Sequence, residues 1–412
     1  MTEDEGTGVI CLVRTTRRTL LWAAAIAAVA GGGAEADSGS AAQPPSVLLR
    51  PTGDEIVVFR KSSEGCDRDD IPDAPARALQ LADGTVAVFA ANQKNRVMRG
   101  ANLLSVRRDC AVVFTGRRAA DPAAYDDRLW LASTWTTDGT NLIALVHSEY
   151  QGNTHPGQCP SGRYIDCWYN AITLATSHDG GHSFTRANGA AALVASVPYR
   201  YDPQAGRHIG YFNPSNLVER DSAVYAMMWT TGYREQAAGN CLIRTEHPDA
   251  PASWRAWDGT AFTVQFINPY RSTALPAEHV CQTIDRYHLG GPVVSFVRHT
   301  PSGAYIALFV GGNPTGDEQL PWAVFASGSW DLIHWSPPRM VMPVARFGTN
   351  ECTTSAPLAY PSLLDPDSPS VNFETVGDSA QLFLTRFNLE RCRTSLDRDL
   401  VRIPVSLTID PS

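Results

Sequence analysis

Glu149 is the acidic residue best placed for chemistry in this sequence. It lies near the end of the alternating run ALVHSEY (144–150), so His147 and Glu149 point to one side of a predicted strand and Ser148 and Tyr150 to the other. Apolar and aromatic neighbours would raise the pKa of Glu149 and keep it protonated near neutral pH, as a general acid requires. We expect His147 to hold it by a hydrogen bond. The alternative is an ordinary structural Glu–His pair.

Asp73 is the candidate nucleophile or base. It lies in IPDAPARAL (71–79), just before the first predicted inner strand. Two carboxyl groups that cleave one glycosidic bond lie roughly 5–5.5 Å apart for retention of configuration and about 6.5–9.5 Å apart for inversion. Acids from separate strands around one cleft can meet that spacing. The competing interpretation is structural, because an Asp beside a proline-rich turn is common.

Side chains suited to sugars recur near the starts of the predicted inner strands and in the loops that feed them. Aromatic rings can stack on sugar faces, while Arg, Asn and Asp can bind hydroxyl groups. The candidate substrate-binding residues are Arg77, Arg96, His147, Tyr150, Asp166, Trp168, Asn213, Trp229, Tyr233, Tyr360 and Arg386. The aromatic members could equally be core residues, and Arg386 is either an anion clamp or a structural ion-pair partner.

A weak internal repeat predicts the elements that position these residues. Five segments place a small or polar turn before an alternating apolar strand: LADGTVAVFA, TTDGTNLIALVH, ERDSAVYAMMWT, TPSGAYIALFV and TVGDSAQLFLT. Their turn residues are Gly84, Gly139, Ser222, Gly303 and Ser379, and a candidate inner strand precedes each of them. Repetition of such a unit indicates an all-β fold, a five-bladed β-propeller of four-stranded antiparallel blades. A β-sandwich or a β-helix with coincidental hairpins is the alternative.

Two further patterns fit this architecture. Ser177-x-Asp179-x-Gly181-x-x-Phe184 and Ser329-x-Asp331-Leu332-x-x-Trp335 are Ser/Asp turns at blade edges, whose side chains satisfy backbone N–H groups. The strand-like stretches 55–60 and 401–409 lie at opposite ends of the predicted domain, 54–412. We expect them to share one blade and so close the ring.

The N-terminus predicts export. Arg17 and Arg18 precede the short apolar run WAAAIAAVAGGGA, which makes 1–36 a signal peptide, either twin-arginine or ordinary secretory. Residues 37–53 read as a linker or tail, and no later stretch is apolar enough to span a membrane. Of nine cysteines, Cys11 lies in the signal. The other eight predict disulfides in an oxidising compartment, paired with their nearest neighbours as 66–110, 159–167, 241–281 and 352–392.

Composition excludes several classes of function. The 412 residues are 43% hydrophobic and 18% charged, which fits a globular protein, and the net charge is −8 without any Lys/Arg run. Nucleic acid and anionic membranes are therefore not the expected partners. HExxH, nucleophile-elbow and phosphate-loop motifs are absent from the sequence. We expect a secreted monomer with a carbohydrate partner and no cofactor; a structural calcium ion is not indicated.

The repeats and turn motifs resemble those of secreted five-bladed propeller glycoside hydrolases of the arabinanase and fructosidase type. More loosely, SHDGGHSF (177–184) resembles the sialidase superfamily. The first resemblance implies a base or nucleophile, a second Asp that modulates a pKa, and an acid, for which Asp73, Asp127 and Glu149 are available. The later-blade Glu of that type is missing, since Pro214-Ser215-Asn216 contains no acid. Three functions stay open: glycosidase, polysaccharide lyase with His147 or Tyr150 as base, and non-catalytic carbohydrate binding.

Overall fold

Short antiparallel strands make up most of the described chain. The computed structural model describes residues 42–312, 322–346 and 356–411. The predicted signal peptide therefore lies outside the described residues. A four-residue helix, α1 (Lys61–Glu64), and short 3₁₀ turns lie in the connections, the turns spanning Pro122–Ala124, Gly152–Thr154, Tyr164–Cys167, Gly189–Ala192, Pro251–Ser253 and Pro276–His279. No helix within the described ranges is long and apolar enough to cross a membrane.

The first group of strands follows two strands that pair elsewhere. The chain enters through β1 (Ser46–Pro51) and β2 (Ile56–Phe59). The group itself comprises β3 (Arg77–Gln80), β4 (Val86–Phe89), β5 (Lys94–Asn95), β6 (Val97–Gly100), β7 (Arg107–Arg108) and β8 (Phe114–Thr115). Strands β3, β4, β6 and β7 form a four-stranded sheet in that order, and β5 pairs with β8.

The second and third groups belong to one ten-stranded sheet. The second comprises β9 (Arg128–Thr136), β10 (Leu142–Gln151), β11 (Trp168–Ser177) and β12 (Leu193–Ala195). The third comprises β13 (Ile209–Phe212), β14 (Val218–Arg220), β15 (Ala223–Thr230), β16 (Gly239–Thr245), β17 (Arg255–Trp257) and β18 (Phe262–Val264). A short parallel pairing of β11 with β13 joins the two.

The last two groups each contain five strands. The fourth comprises β19 (Val293–His299), β20 (Tyr305–Gly311), β21 (Ala323–Ser329) and β22 (Arg339–Pro343), and β24 (Thr375–Val376) pairs with β19. The fifth comprises β23 (Leu358–Leu364), β25 (Ser379–Glu390) and β26 (Arg393–Asp410), with β1 and β2 both paired to β26.

The two ends of the described chain share this last sheet. Ser46 is the register partner of Asp410, and Ile56 is that of Arg402. The predicted pairing of 55–60 with 401–409 is therefore confirmed. Residues 46–51 differ from the expectation of a linker, because Val47 and Leu49 alternate with more exposed neighbours and are buried in the core.

All five predicted hairpins are present. The pairs are β3–β4, β9–β10, β14–β15, β19–β20 and β23–β25. In the turn between β9 and β10, Gly139 has φ +69° and approaches the first group so closely that a Cβ atom would lie 2.4 Å from the Ala82 nitrogen. Only glycine fits both requirements.

Buried residues fill the spaces between successive groups, and the last cluster joins the fifth group to the first. One representative pair from each cluster is Leu79 with Leu131, Tyr169 with Tyr211, Tyr225 with Phe309, Leu308 with Leu382, and Phe383 with Val88. Sheets that pack face to face around a closed ring form a propeller, so the all-β propeller fold is confirmed. The number of blades stays a prediction, because strand pairing does not separate the second group from the third.

Arg77 lies where the inner strands converge, and it is 2% exposed. Its guanidinium donates to the carbonyl oxygens of Ala132 (2.9 Å), Pro214 (3.3 Å) and Val294 (2.6 Å). It also donates to Ser362 Oγ at 3.3 Å and to the Ala76 carbonyl at 3.2 Å. Residues of all five strand groups therefore meet at one side chain.

Covalent links and turn side chains fix the outer parts of the groups. Disulfides join Cys66–Cys110, Cys159–Cys167 and Cys241–Cys281 as predicted. Cys352 of the fourth predicted pair, 352–392, lies outside the described residues. Ser177 Oγ accepts from the Gly181 N–H at 2.9 Å and Ser329 Oγ from the Leu332 N–H at 2.8 Å, so both Ser/Asp motifs are structural turns.

Candidate active site

Glu149 lies near the end of β10 and is 5% exposed. Its Oε1 atom accepts hydrogen bonds from Tyr164 Oη at 3.0 Å and from Gln151 Nε2. Gln151 is two residues along the same strand, and Tyr164 begins the 3₁₀ turn inside the Cys159–Cys167 loop. Strand alternation and a cross-linked loop therefore hold the carboxyl group.

The environment of Glu149 favours its protonated form near neutrality. Burial raises its pKa to about 7 and outweighs the hydrogen bonds from Gln151 and Tyr164, which favour the ionised form. The charge of Asp73 raises that pKa further, and Arg128 opposes it. Burial and the charge of Glu149 raise the pKa of Tyr164 well above its ordinary value, so its hydroxyl stays a donor.

Asp73 has a different set of neighbours. Tyr360 Oη donates to its Oδ1 at 3.3 Å, and Arg398 Nη1 forms an ion pair with the same oxygen. Burial raises the pKa of Asp73 above its ordinary value and outweighs Arg398, Tyr360 and the indole of Trp130, which lower it. Tyr360 has φ +58° at an irregularity in the pairing of β23 with β25, and such bulges redirect side chains.

The two carboxyl groups share one region of the molecule. Asp73 precedes the first group of strands and Glu149 belongs to the second, yet the charge of each raises the pKa of Tyr164 and of Tyr360. The arrangement therefore brings together a carboxyl group whose pKa is raised to about 7 and a second carboxyl group paired with an arginine.

A cavity of about 460 Å³ adjoins Asp73 through Tyr360. It lies among residues of the third, fourth and fifth groups. Its aromatic lining consists of Trp229, Trp322, Tyr360 and Phe387, with Asn213 as a polar member. Three of the predicted binding residues, Asn213, Trp229 and Tyr360, line it together. A cleft with aromatic walls and few polar groups is suited to the faces of sugar rings.

A second aromatic surface lies beside Glu149. Trp168 stacks between Tyr164, at 4.7 Å between ring centroids, and His208, at 3.9 Å. His147 accepts a hydrogen bond at its Nε2 atom from Asn170 Nδ2 at 2.7 Å, not the expected one with Glu149. Burial lowers the pKa of His147 to about 4 and that of His208 to about 3, so both imidazoles are neutral at pH 7.

Asp127 lies behind Glu149. Its Oδ2 accepts from the backbone N–H of Gln151 at 2.9 Å and lies 3.0 Å from His155 Nε2. Gln151 also donates to Glu149 through its side chain, so Asp127 and Glu149 share this neighbour.

Six other predicted binding residues lie away from the carboxyl pair. Arg77 is the buried centre of the inner strands, and Arg96 pairs with Asp67 at 2.8 Å. Tyr150 points to the opposite side of β10 and donates to the Ala120 carbonyl at 2.9 Å. Asp166 is buried 3.5 Å from Arg163.

The remaining two have local partners of their own. Tyr233 donates to Asp202 at 2.7 Å. Arg386 pairs with Glu55 and Asp399, which supports the structural alternative for this arginine. In each of these six residues, side-chain polar atoms already contact other groups of the protein.

Sequence reasoning missed Tyr164, Gln151, Arg398 and Trp322. Gln151 could have been found, because it continues the side of the strand that carries His147 and Glu149. Arg398 has no such signal, since it is 325 residues from Asp73. Among the described residues, no group of three or more His, Cys, Asp or Glu side chains is arranged to hold a metal ion.

No family model and no curated protein matches the chain. Solved structures that resemble it include the GH43_1 enzyme from Xanthomonas citri, with 12% identity, 87% of this chain and 90% of that chain covered, and a TM-score of 0.45. A glycosyl hydrolase from Bacteroides ovatus has 8% identity, coverage of 88% and 90%, and a TM-score of 0.46. The alpha-L-arabinanase of Cellvibrio cellulosa has 11% identity, coverage of 80% and 90%, and a TM-score of 0.42. Likenesses of this degree identify no catalytic side chain.

Proposed function

We propose that this protein is a secreted glycoside hydrolase that acts on an oligosaccharide or polysaccharide. The observation that carries the proposal is a pair of carboxyl groups, Glu149 buried and Asp73 partly buried, whose neighbours differ in charge. Glu149, with its pKa raised to about 7, is the general acid, and Asp73, paired with Arg398, is the base or nucleophile. Two carboxyls kept in opposite protonation states are what glycoside hydrolysis requires.

Each group then has one task. Glu149 donates its proton to the departing glycosidic oxygen while Tyr164 and Gln151 fix its Oε1 atom. Asp73, ionised, attacks the anomeric carbon or activates a water molecule. The cavity lined by Trp229 and Tyr360 holds the sugar rings through their apolar faces.

The contacts of the two candidate lyase bases do not favour proton abstraction. Burial lowers the pKa of His147, whose Nε2 atom is occupied by Asn170. Tyr150 donates to a backbone carbonyl, and burial raises its pKa, which is the wrong direction for a base. Export follows from the sequence pattern at the N-terminus, and the three disulfides support an oxidising compartment.

The test is Glu149→Gln, assayed on whichever glycans of a broad panel the parent cleaves. We expect roughly 10²- to 10⁴-fold lower turnover of natural glycans, the usual effect of removing a general acid. Aryl glycosides with acidic leaving groups need no proton, so their loss should be much smaller. In the parent, kcat/KM should fall as pH rises through about 7, because Glu149 then loses its proton. This fall at basic pH should be absent when the variant is assayed on aryl glycosides.

Glu374→Gln is the matched control. Glu374 is also buried, at 7% exposure, with its pKa raised by burial, but it bonds Ser370 in the connection between β23 and β24. That variant should keep the parent's turnover and pH profile. Full turnover of natural glycans by Glu149→Gln would refute the assignment, and products with ultraviolet absorbance would indicate a lyase.

A further inference from the structure

Arg128 is the strand neighbour of the proposed general acid. It begins β9, and its Cα is the register partner of Glu149 on β10. Opposed residues of an antiparallel pair project to the same face of the sheet, with Cβ atoms about 4.5–5.5 Å apart. The side chains of Arg128 and Glu149 therefore leave the sheet side by side.

The guanidinium of Arg128 has no protein partner within the described ranges. Arg128 is half-buried and its Nε atom is buried without a hydrogen bond. The two acids whose charges act on Arg128 have other partners: Asp127 accepts from the Gln151 N–H and lies 3.0 Å from His155, and Glu149 accepts from Gln151 and Tyr164. Burying part of an unpaired cation costs free energy, and an anionic ligand would recover that cost.

Arg118 adds a second positive charge at the same place. Its backbone N–H donates at 3.3 Å to the carbonyl of Asp127, the residue that precedes Arg128. Its side chain is exposed and makes no hydrogen bond or ion pair in the described part of the chain. Burial and then the charge of Arg118 lower the pKa of Arg128, so the two guanidinium groups act on each other.

We propose that the glycan cleaved here carries a carboxylate on a sugar next to the scissile bond, held by Arg128 together with Arg118. The planar guanidinium matches a carboxylate in two parallel hydrogen bonds, which a neutral sugar cannot offer. The substrate class is therefore an acidic, uronate- or ulosonate-containing glycan. This inference rests on the proposed glycosidase function, because only that function places the carboxylate next to a bond that is cleaved. Binding of a carboxylate by the two arginines does not depend on that function.

The test compares acidic glycans with their carboxyl-reduced forms. The probes are oligogalacturonate, hyaluronan and heparosan oligosaccharides and polysialic acid, each with and without reduction of the carboxyl group to an alcohol. Binding is measured by calorimetry on Glu149→Gln, and turnover on the parent. We expect at least one acidic probe to bind roughly 10- to 100-fold more tightly than its reduced form, the effect of a charge-assisted hydrogen bond.

Arg128→Met should abolish that preference. Arg128→Lys should restore part of it, because lysine keeps the positive charge but cannot form the two parallel hydrogen bonds of a guanidinium. Arg118→Met should weaken it less. Arg107→Met, an exposed arginine on β7, is the control and should leave binding unchanged.

The outcomes separate the two proposals. Cleavage of neutral glycans only, lost in Glu149→Gln, would overturn the acidic-substrate inference and support the hydrolase. Carboxylate-dependent binding that needs Arg128, without turnover by the parent of any glycan, would support the inference and count against the hydrolase. Failure of every acidic probe to bind or react would overturn the inference.

Discussion

At the scale of single residues, desolvation raises the pKa of both Asp73 and Glu149. What distinguishes them is their neighbours: Asp73 has the cation Arg398, whereas Glu149 has the neutral donors Tyr164 and Gln151. The sequence predicted both acids as candidates from their positions, Glu149 near a strand end and Asp73 before the first inner strand. Their donors could not be identified so easily, because Tyr164 and Arg398 reach the acids only through the folded chain.

Arg398→Met should move the acid limb of the pH profile. Arg398 lowers the pKa of Asp73, so its loss lets Asp73 take up a proton at higher pH. Ionised Asp73 is the active form, and the acid limb of kcat/KM should therefore shift upward, with a larger loss of activity at pH 5 than at pH 7. Arg402→Met is the control, since Arg402 lies on the same strand and bonds Gln381. An unmoved acid limb would exclude this role for Arg398.

At the scale of elements, the alternating runs predicted the hairpins well and the loops poorly. Strand β10 was recognisable because its apolar and polar residues alternate between two faces. The segment 46–51 forms a strand, although the sequence favoured a linker because the serine and prolines in and around it outweighed its three apolar positions. The 3₁₀ turn that contains Tyr164 has no sequence period, so its contact with Glu149 could not be foreseen.

The Cys159–Cys167 loop should set the basic limb of the pH profile. Tyr164 lowers the pKa of Glu149 by hydrogen bonding, so Tyr164→Phe should raise it and move the basic limb to higher pH. Cys159→Ser combined with Cys167→Ser frees the loop and should shift the limb in the same direction. Removing Cys66 and Cys110, which lie in the first group, should leave it in place. If the loop variants titrate like the parent, Tyr164 does not act on Glu149.

At the scale of the whole molecule, Arg77 connects all the inner strands. Sequence reasoning placed it near the centre but expected it to bind substrate, because a sequence shows no burial. Its desolvated guanidinium, with a pKa lowered to about 9, donates to carbonyl groups and to Ser362, and to no carboxylate of the described residues. This arrangement predicts a role in stability.

Arg77→Met should lower the free energy of unfolding by about 2–5 kcal/mol, since each buried carbonyl left without a donor costs roughly 1–3 kcal/mol and methionine fills only part of the space. Urea unfolding followed by fluorescence measures this. Arg107→Met should change it by less than about 0.5 kcal/mol, as an exposed substitution does. A variant as stable as the parent would show that the inner carbonyls need no donor.

The pairing of β1 with β26 bears on how the protein is made. The partner of Ser46 is Asp410, so the first described strand stays unpaired until the ribosome has made nearly all of the described residues. Contacts this distant along a polypeptide form slowly, and meanwhile a lone strand can recruit another molecule. We therefore expect chains truncated before residue 400 to associate with one another during biosynthesis.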